Sequence, residues 1–348
     1  MSEIYLVFVV FLFVLAVFDL MVGVSNDAVN FLNSAIGAKV AKFRTIIIVA
    51  AVGVFMGATM SNGMMEVARN GVFHPAMFSL KELMFIFLAV MISDVILLDI
   101  FNNLGLPTST TVSLVFELLG GTTAFVLLKL ANDTTGLTVG DLMNTEKALG
   151  MIMAIFVSVA IAFFFGIVLQ YISRIVFTFT YKKNLKWKIG IFGGVATTAI
   201  FYFMLFKGIK SMSFVTPEIY EYIQNHTLTI LGICFLASTA IMQFLYFLKV
   251  NVFKILVLMG TFALAMAFAG NDLVNFIGVP LAGYSAYTDF AASGASDPST
   301  FMMSSLEGPA KSPMIFLVAA GAVMVFSLAT SKKAHNVIKT SVDLSRQS

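Results

Sequence analysis

Two short segments of the chain carry the same polar motif in apolar surroundings. The first reads SNDAVNFLNSAIGA at residues 25–38, and the second reads GNDLVNFIGVPLAG at residues 270–283. Each contains the pattern Asn-Asp-x-Val-Asn-Phe, and each directly follows an apolar run. An ionised carboxylate at membrane depth is costly and usually faces a bundle interior or an aqueous cavity. Asp27 and Asp272 are therefore the first candidates for chemistry.

The residues around the two aspartates have the chemistry of cation ligands. An asparagine follows each aspartate by three positions, which places both side chains on one face if the segment is helical. Carboxylate, amide and backbone carbonyl oxygens suit Na⁺ and other hard cations. The predicted Na⁺ ligands are Asp27, Asn30, Asp272 and Asn275.

Glycines near both motifs predict local breaks in the helices, which would free backbone carbonyls for an ion. These glycines are Gly23, Gly37, Gly270 and Gly278. The alternative for the motifs is interhelical hydrogen bonding, in which they join helices and bind no ion. Two copies of the same aspartate in opposite orientations favour the ion site.

A second polar segment, PTSTT at residues 107–111, has the composition of a helix start. Proline suits the first turn of a helix, and serine and threonine are favoured N-caps. A helix that begins here presents free N–H groups, hydroxyls and the positive end of its dipole, which is an anion site typical for phosphate. The alternative is an ordinary polar cap. The predicted phosphate-binding residues are Ser109, Thr110, Thr111, Asn26 and Asn271.

The composition identifies lipid as the main solvent of the chain. Of 348 residues, 59% are apolar and 11% are charged, against roughly 25% charged in an average soluble domain. The net charge of +3 is too small to indicate nucleic-acid binding. The histidines have no metal-ligand spacing and no nucleophile elbow is present, so we expect no enzyme and no cofactor apart from a coupling ion.

Apolar runs of about 18 or more residues recur along the chain, the length that crosses a bilayer as a helix. Only helices satisfy their own backbone groups in lipid without closing a barrel. The sequence therefore predicts an all-α, polytopic membrane protein.

The loops between the runs differ in charge. One set is basic, and it comprises Lys39, Lys42 and Arg44, then Lys182, Lys183, Lys186 and Lys188, then Lys249 and Lys254, and the tail with Lys332, Lys333, Lys339 and Arg346. The positive-inside rule places this set in the cytoplasm. We expect a bacterial-type inner or plasma membrane, with the N-terminus outside and the C-terminal tail inside.

Residues 83–130 leave one outside loop and return to another, with the uncharged turn NNLGLPTSTT between them. Two full spans would put this turn in the cytoplasm, whereas a re-entrant hairpin would put it near the membrane midplane. We favour the re-entrant hairpin, because the positive-inside rule disfavours an uncharged cytoplasmic turn.

The repeated motif predicts the organisation of the chain. By the loop charges, the run before the first copy travels inward and the run before the second travels outward. Inverted-topology repeats of this kind build many transporters, with the site at the repeat interface. The predicted divisions are a first repeat at 1–180, connecting spans at 181–250 and a second, incomplete repeat at 251–348.

Together, Asn26-Asp27-x-x-Asn30, its copy at Asn271-Asp272-x-x-Asn275, and GLPTSTT resemble the motifs of the inorganic phosphate transporter (PiT) family. That family's motifs run close to G-A-N-D-x-x-N and G-x-P-[VT]-S-T-T. Ser25 stands where the first copy usually has alanine, and Val112 replaces a frequent histidine. The resemblance implies a symporter that moves phosphate with Na⁺ or H⁺ by alternating access.

The resemblance also implies a second P-x-S-T-T hairpin in the second half. Residues 284–348 contain none, so we expect this chain to be part of a longer protein.

Rival functions are a symporter of sulfate or another tetrahedral oxyanion, and a cation exchanger or channel that uses the acids alone. A homodimer is compatible with the sequence. Four further acids lie within the spans, namely Asp19, Asp94, Asp99 and Glu117. Proton relay and pairing with a helix end are both open for them, and the sequence does not choose between these roles.

Overall fold

The computed structural model describes residues 2–61, 67–132, 136–178, 185–208, 216–308 and 312–344. Within these ranges the chain is almost entirely helical. The α-helices are α1 Ser2–Gly37, α2 Phe43–Met60, α3 Leu80–Leu104, α4 Thr110–Ala131, α5 Val139–Leu142, α6 Thr145–Phe177, α7 Lys188–Gly208, α8 Pro217–Asn225, α9 Thr227–Phe247, α10 Val252–Ser293, α11 Met314–Thr330 and α12 Lys332–Leu344. Shorter helical turns lie at Val67–Gly71, Pro75–Met77 and Ser304–Glu307.

In the part of the chain that the structure describes, seven helices are long and apolar enough to cross a membrane, namely α1, α2, α3, α4, α6, α9 and α10. Helices α11 and α12 meet at a bend of 65° and together meet the same criterion. This confirms the predicted all-α, polytopic membrane fold. Lys182, Lys183 and Arg346 of the predicted basic segments lie outside the described residues, and the predicted division into repeats stays a prediction.

Helices α1 and α10, which carry the two motifs, pack against each other in antiparallel orientation. Their ring contacts fix the direction, because Phe13 contacts Tyr284 with ring centroids 6.1 Å apart. Further along α1, Phe31 contacts Phe268 at 6.3 Å. Residue numbers therefore rise along α1 as they fall along α10, and the two motif copies lie in opposite orientations.

The predicted helix breaks at Gly23, Gly270 and Gly278 are wrong. Helices α1 and α10 run unbroken through both motifs, and α1 ends only at Gly37. The glycines instead permit close approach. A Cβ on Gly23 would lie 2.1 Å from the Phe276 ring, and one on Gly270 would lie 3.1 Å from the Gly57 carbonyl oxygen.

Helix α2 fixes the position of the second motif through small residues. Gly53 and Gly57 form a small-xxx-small pair, the pattern that lets membrane helices approach closely. A Cβ on Gly57 would lie 2.0 Å from the Met266 carbonyl oxygen of α10. At the end of α2, the Ser61 hydroxyl donates to the Gly270 carbonyl at 2.9 Å, immediately before the second Asn-Asp pair.

Helices α3 and α4 form the predicted hairpin, and α3 runs parallel to α1. Phe8 contacts Phe85 near the start of both helices, and Asn26 contacts Asn102 near the end of α3. Helix α1 then continues past the hairpin turn to Gly37. Each hairpin helix has the length and composition of a full span, so the re-entrant depth of the turn stays a prediction.

Candidate functional site

The turn of the α3–α4 hairpin is held by the side chain of Asn26. Its amide donates to Asn102 Oδ1 at 2.8 Å and to the Leu106 carbonyl at 3.0 Å. Its Oδ1 accepts from the Thr108 N–H at 2.7 Å, and Asn102 in turn donates to the Val22 carbonyl at 2.7 Å. Asn26 and Asn102 are both fully buried. The first motif therefore positions the hairpin turn, and direct binding of phosphate by Asn26 stays a prediction.

Helix α4 begins at Thr110, which confirms the predicted helix start. Ser109 is its N-cap, and the Ser109 hydroxyl oxygen accepts from the Val112 N–H at 3.3 Å. At the other end of the turn, Gly105 caps α3 with a φ of 68°, a left-handed conformation that favours glycine. The first N–H groups of a helix have no intrahelical partner, and they carry the positive end of the helix dipole.

The second motif meets this helix start through Asn275. Its amide nitrogen lies 2.9 Å from Thr111 Oγ1, 3.3 Å from Thr110 Oγ1 and 3.4 Å from Asp272 Oδ1. The first two contacts join residues about 165 positions apart in the sequence. The structure thus brings the second motif and the PTSTT segment together.

The two motif aspartates also meet at this point. Asp27 and Asp272 are buried, with 5% and 6% of their surfaces exposed. The Asp27 carboxyl lies within hydrogen-bonding reach of both Asp272 and Thr110. Its Oδ2 is buried without a hydrogen-bond partner among the described residues. A buried carboxylate without a partner is costly, so this pair is suited to holding a proton or a small cation.

The electrostatics of the site come from carboxyls and neutral polar groups. The charged side chains that act on Asp27 are Asp272 and Asp94, and the polar contacts of Asp272 come from Asp27, Asn271 and Asn275. An oxyanion at the α4 start would therefore face two carboxylates. The attraction that binds it must come from the N–H groups, the hydroxyls and any cation held by the carboxylates.

The two motifs contribute different asparagines to the hairpin. In the first motif Asn26 is buried and Asn30 is exposed, whereas in the second Asn271 is exposed and Asn275 is buried. This exchange follows from the antiparallel packing, because α1 and α10 face the same hairpin from opposite directions. Asn271 lies beside Asp272, whereas Asn30 is exposed about one helical turn after Asp27. The role of Asn30 in ion binding stays a prediction.

Sequence reasoning missed Asn102, and it could not separate the four further acids. Asn102 lies in the predicted turn segment, but only its contacts in space show its role. Asp99 forms an ion pair with Lys333 of α12, which gives it a partner away from the site. The other three acids gather one to two helical turns from the site; they are Asp19, Asp94 and Glu117.

Comparison with known proteins identifies the family to which this chain belongs. The model of the phosphate transporter family matches residues 23–341. A solved structure described as the sodium-dependent phosphate transporter is similar in fold, with a TM-score of 0.68 and 18% sequence identity; the match covers 98% of this chain and 79% of that one. No curated protein matches the chain. Because the family match includes both Asn-Asp motifs and the hairpin turn, this chain belongs to the phosphate transporter family.

Proposed function

We propose that this chain is a secondary-active symporter that imports inorganic phosphate together with Na⁺ or H⁺ by alternating access. One observation carries the proposal. The start of α4 and the two antiparallel motifs meet at one point, where Asn275 contacts Thr111 at 2.9 Å and Asp27 lies within reach of Thr110. This arrangement sets donors for an anion beside ligands for a cation.

The phosphate is held at the start of α4. Three adjacent hydroxyls and the free N–H groups of the first helical turn supply the donors, and the helix dipole favours the negative charge. The proposed phosphate-binding residues are Ser109, Thr110 and Thr111, with Asn26 and Asn271 at the margins of the site. Phosphate protonated on one oxygen also donates a hydrogen bond to Asp27 or Asp272, which sulfate cannot do.

The coupling ion is held by the two motifs. The proposed Na⁺ ligands are Asp27, Asn30, Asp272 and Asn275. The ion offsets the repulsion between the phosphate and the two carboxylates, so each solute binds poorly without the other. This mutual dependence is a coupling free energy between two sites, and it ties the movement of phosphate to that of the ion.

Alternating access is supported by the crossing of α1 and α10. Their antiparallel contact brings the two motifs together at the hairpin start in opposite orientations. In transporters built from inverted repeats, rocking of one repeat against the other exposes such a site to either side of the membrane. With the basic loops in the cytoplasm, the N-terminus lies outside and the C-terminal tail inside.

Uptake by the purified chain in proteoliposomes tests the proposal. Labelled phosphate is supplied outside, and inward Na⁺ and pH gradients are imposed separately. We expect uptake with at least one gradient, weak competition by sulfate, and a loss of about tenfold or more in Asp27→Asn and Asp272→Asn. The matched control is Glu146→Gln, which neutralises an exposed carboxyl in the first turn of α6.

The rival functions give different results. Phosphate flux that persists undiminished in both aspartate variants would contradict the proposed cation site. Equal uptake of sulfate would favour a general oxyanion symporter. Cation flux that needs no phosphate and survives Ser109→Ala would indicate a cation exchanger or channel.

A further inference from the structure

Three carboxyl groups from three helices converge beside the proposed phosphate site without a role in it. We name as the acidic cluster Asp19 of α1, Asp94 of α3, and Ser113 and Glu117 of α4. Asp19 and Asp94 have no exposed surface, and 6% of the Ser113 surface is exposed. The Ser113 hydroxyl oxygen lies 2.6 Å from Asp94 Oδ1 and 2.9 Å from Glu117 Oε1.

The contacts of Ser113 favour a proton on one of the carboxyls. A serine hydroxyl has one hydrogen to donate, and an ionised carboxylate can only accept. Ser113 can therefore donate to Asp94 or to Glu117, but not to both. The other contact is a hydrogen bond only when that carboxyl donates its own proton to the serine oxygen.

Asp19 is a second buried group that needs a partner. Neither of its carboxyl oxygens has a hydrogen-bond partner among the described residues, and Asp94 Oδ2 and Glu117 Oε2 are in the same condition. The groups that act on Asp19 are the carboxyls of Asp94, Glu117 and Asp27. Three ionised carboxylates in such a setting would repel each other and would each pay a desolvation cost.

Two cations of the surrounding helices are engaged elsewhere. Lys129 of α4 contacts Glu82 and the Met77 carbonyl, and Lys333 of α12 contacts Asp99. Other titratable groups of the packed elements contact residues outside the cluster: Arg69 bonds Ser285 and the Ser305 carbonyl, His335 packs on Phe43, Lys147 bonds Asn70, Asp141 bonds Thr138, and Tyr5 packs on Phe8. Further titratable groups on these helices are exposed, namely Glu3, Arg44, Lys81, Lys254, Lys332, Lys339 and Asp343. The charged group outside the cluster that acts on it is thus the site carboxyl Asp27.

A proton suits the contacts of the cluster. The Ser113 hydroxyl has a single hydrogen for two carboxyl partners, so a second hydrogen is needed to complete both contacts. A proton removes one negative charge and supplies the missing donor in a single step.

The acidic cluster shares two helices with the proposed phosphate site. Ser113 lies one turn after Thr110 on α4, and Asp19 lies two turns before Asp27 on α1, about 12 Å along the helix axis. Asp94 also acts on the Asp27 carboxyl. A proton in the cluster therefore lowers the repulsion on the Asp27 carboxylate and on a phosphate held at the α4 start.

We propose that the acidic cluster is a proton-binding site that makes phosphate transport depend on pH. One proton is shared between Asp94 and Glu117 through Ser113, and Asp19 binds a second. Each proton forms an O–H bond with a carboxylate oxygen, so that no co-reactant is needed. The proton site stands on the geometry of the cluster, whereas its effect on transport rests on the proposed function.

Infrared spectroscopy of the purified chain tests proton binding without reference to transport. The carbonyl stretch of a protonated carboxyl is distinct from that of a carboxylate. We expect a protonated-carboxyl band at neutral pH that decreases in Glu117→Gln, since Ser113 then donates its hydrogen to Asp94. Asp94→Asn should give the same decrease, and the control Glu146→Gln should not.

A missing band in the wild-type chain, or a band unchanged in both cluster variants, would overturn the proposal. Loss of the band when Na⁺ is added at constant pH would assign the cluster to the cation and also overturn it.

Phosphate uptake over a range of external pH tests the linkage. Phosphate itself titrates near neutral pH, so the comparison is between the wild-type chain and its variants. We expect Glu117→Gln to change the pH dependence by about tenfold between its extremes, and Glu146→Gln to follow the wild type. Identical pH profiles in all three would overturn the linkage.

The two experiments separate failure of this proposal from failure of the proposed function. A protonated-carboxyl band in a chain that takes up no phosphate under any gradient would leave the proton site standing and remove the symporter. Phosphate uptake by a chain that has no such band would do the reverse.

Discussion

Asn275 of the second motif and Thr111 of the hairpin are joined by a hydrogen bond of 2.9 Å, although 164 positions separate them in the sequence. The contact connects α10, which runs antiparallel to α1, with the first turn of α4. Through it, the second motif contacts the helix start whose preceding turn is held by Asn26 of the first motif. The site is therefore assembled by both motifs around one hairpin.

Replacing Asn275 with alanine removes the amide that orients the two threonine hydroxyls. A net hydrogen bond contributes about 0.5–1.5 kcal/mol, so we expect the KM for phosphate uptake to rise roughly three- to tenfold. Asn103→Ala is the control, because Asn103 is exposed on α3 and bonds only Asp99 nearby. An unchanged KM in Asn275→Ala with a raised KM in Asn103→Ala would contradict the role given to Asn275.

Thr111→Val removes the hydroxyl and keeps the branched shape of the side chain. The variant loses a donor for phosphate and the nearer acceptor of the Asn275 amide, so we expect the KM for phosphate to rise while Thr111→Ser stays close to the wild type. The double variant with Asn275→Ala should rise less than the product of the two single effects, since contacting residues are not additive. Thr59→Val is the control, because the Thr59 hydroxyl only bonds carbonyls of its own helix. Fully multiplicative effects would show that the two side chains act separately.

The repeat offers a matched pair for testing Asn26. Asn26→Asp replaces a buried amide that donates to Asn102 and Leu106 with an acceptor facing two acceptors. We expect a loss of about 1–3 kcal/mol in the free energy of unfolding, the usual cost of a buried unsatisfied polar group. Asn271→Asp makes the same change at the equivalent, exposed position, and its effect on stability should be small. Thermal unfolding in detergent compares the two, and equal losses would show that the hairpin contacts of Asn26 do not stabilise the fold.

The sequence could predict the parts of the site that are carried by residue type and local spacing. The doubled aspartate pointed to Asp27 and Asp272, and the order of proline, serine and threonine predicted a helix start within residues 107–111, where α4 begins at Thr110. These signals are local, because a helix cap and a buried acid have the same cost wherever the chain leads afterwards.

What the sequence could not predict depends on which faces meet. The two motifs look equivalent, yet only Asn26 and Asn275 face the hairpin, because the antiparallel helices approach it from opposite directions. The glycines were interpreted as helix breaks, but Gly23 makes room for the Phe276 ring. A glycine can serve either purpose, and only the neighbouring helix decides between them.

The contact of α2 with α10 gives the last prediction, which concerns the support of the second motif. Gly57→Ala places a Cβ 2.0 Å from the Met266 carbonyl oxygen, a backbone atom that cannot turn aside. The two helices must separate, and overpacking of this kind costs about 1–3 kcal/mol. Gly260→Ala is the control within α10, since nothing lies within 4 Å of the added Cβ. There the usual preference of a helix for alanine over glycine, roughly 0.5–1 kcal/mol, should leave stability unchanged or raise it.

Because Ser61 at the end of α2 bonds the carbonyl of Gly270, separating the helices also moves the residue before Asn271 and Asp272. We therefore expect Gly57→Ala to lower both the unfolding temperature and phosphate uptake, measured in the same detergent and liposomes as Gly260→Ala. Equal unfolding temperatures in the two variants would show that the helices can separate without cost at this point.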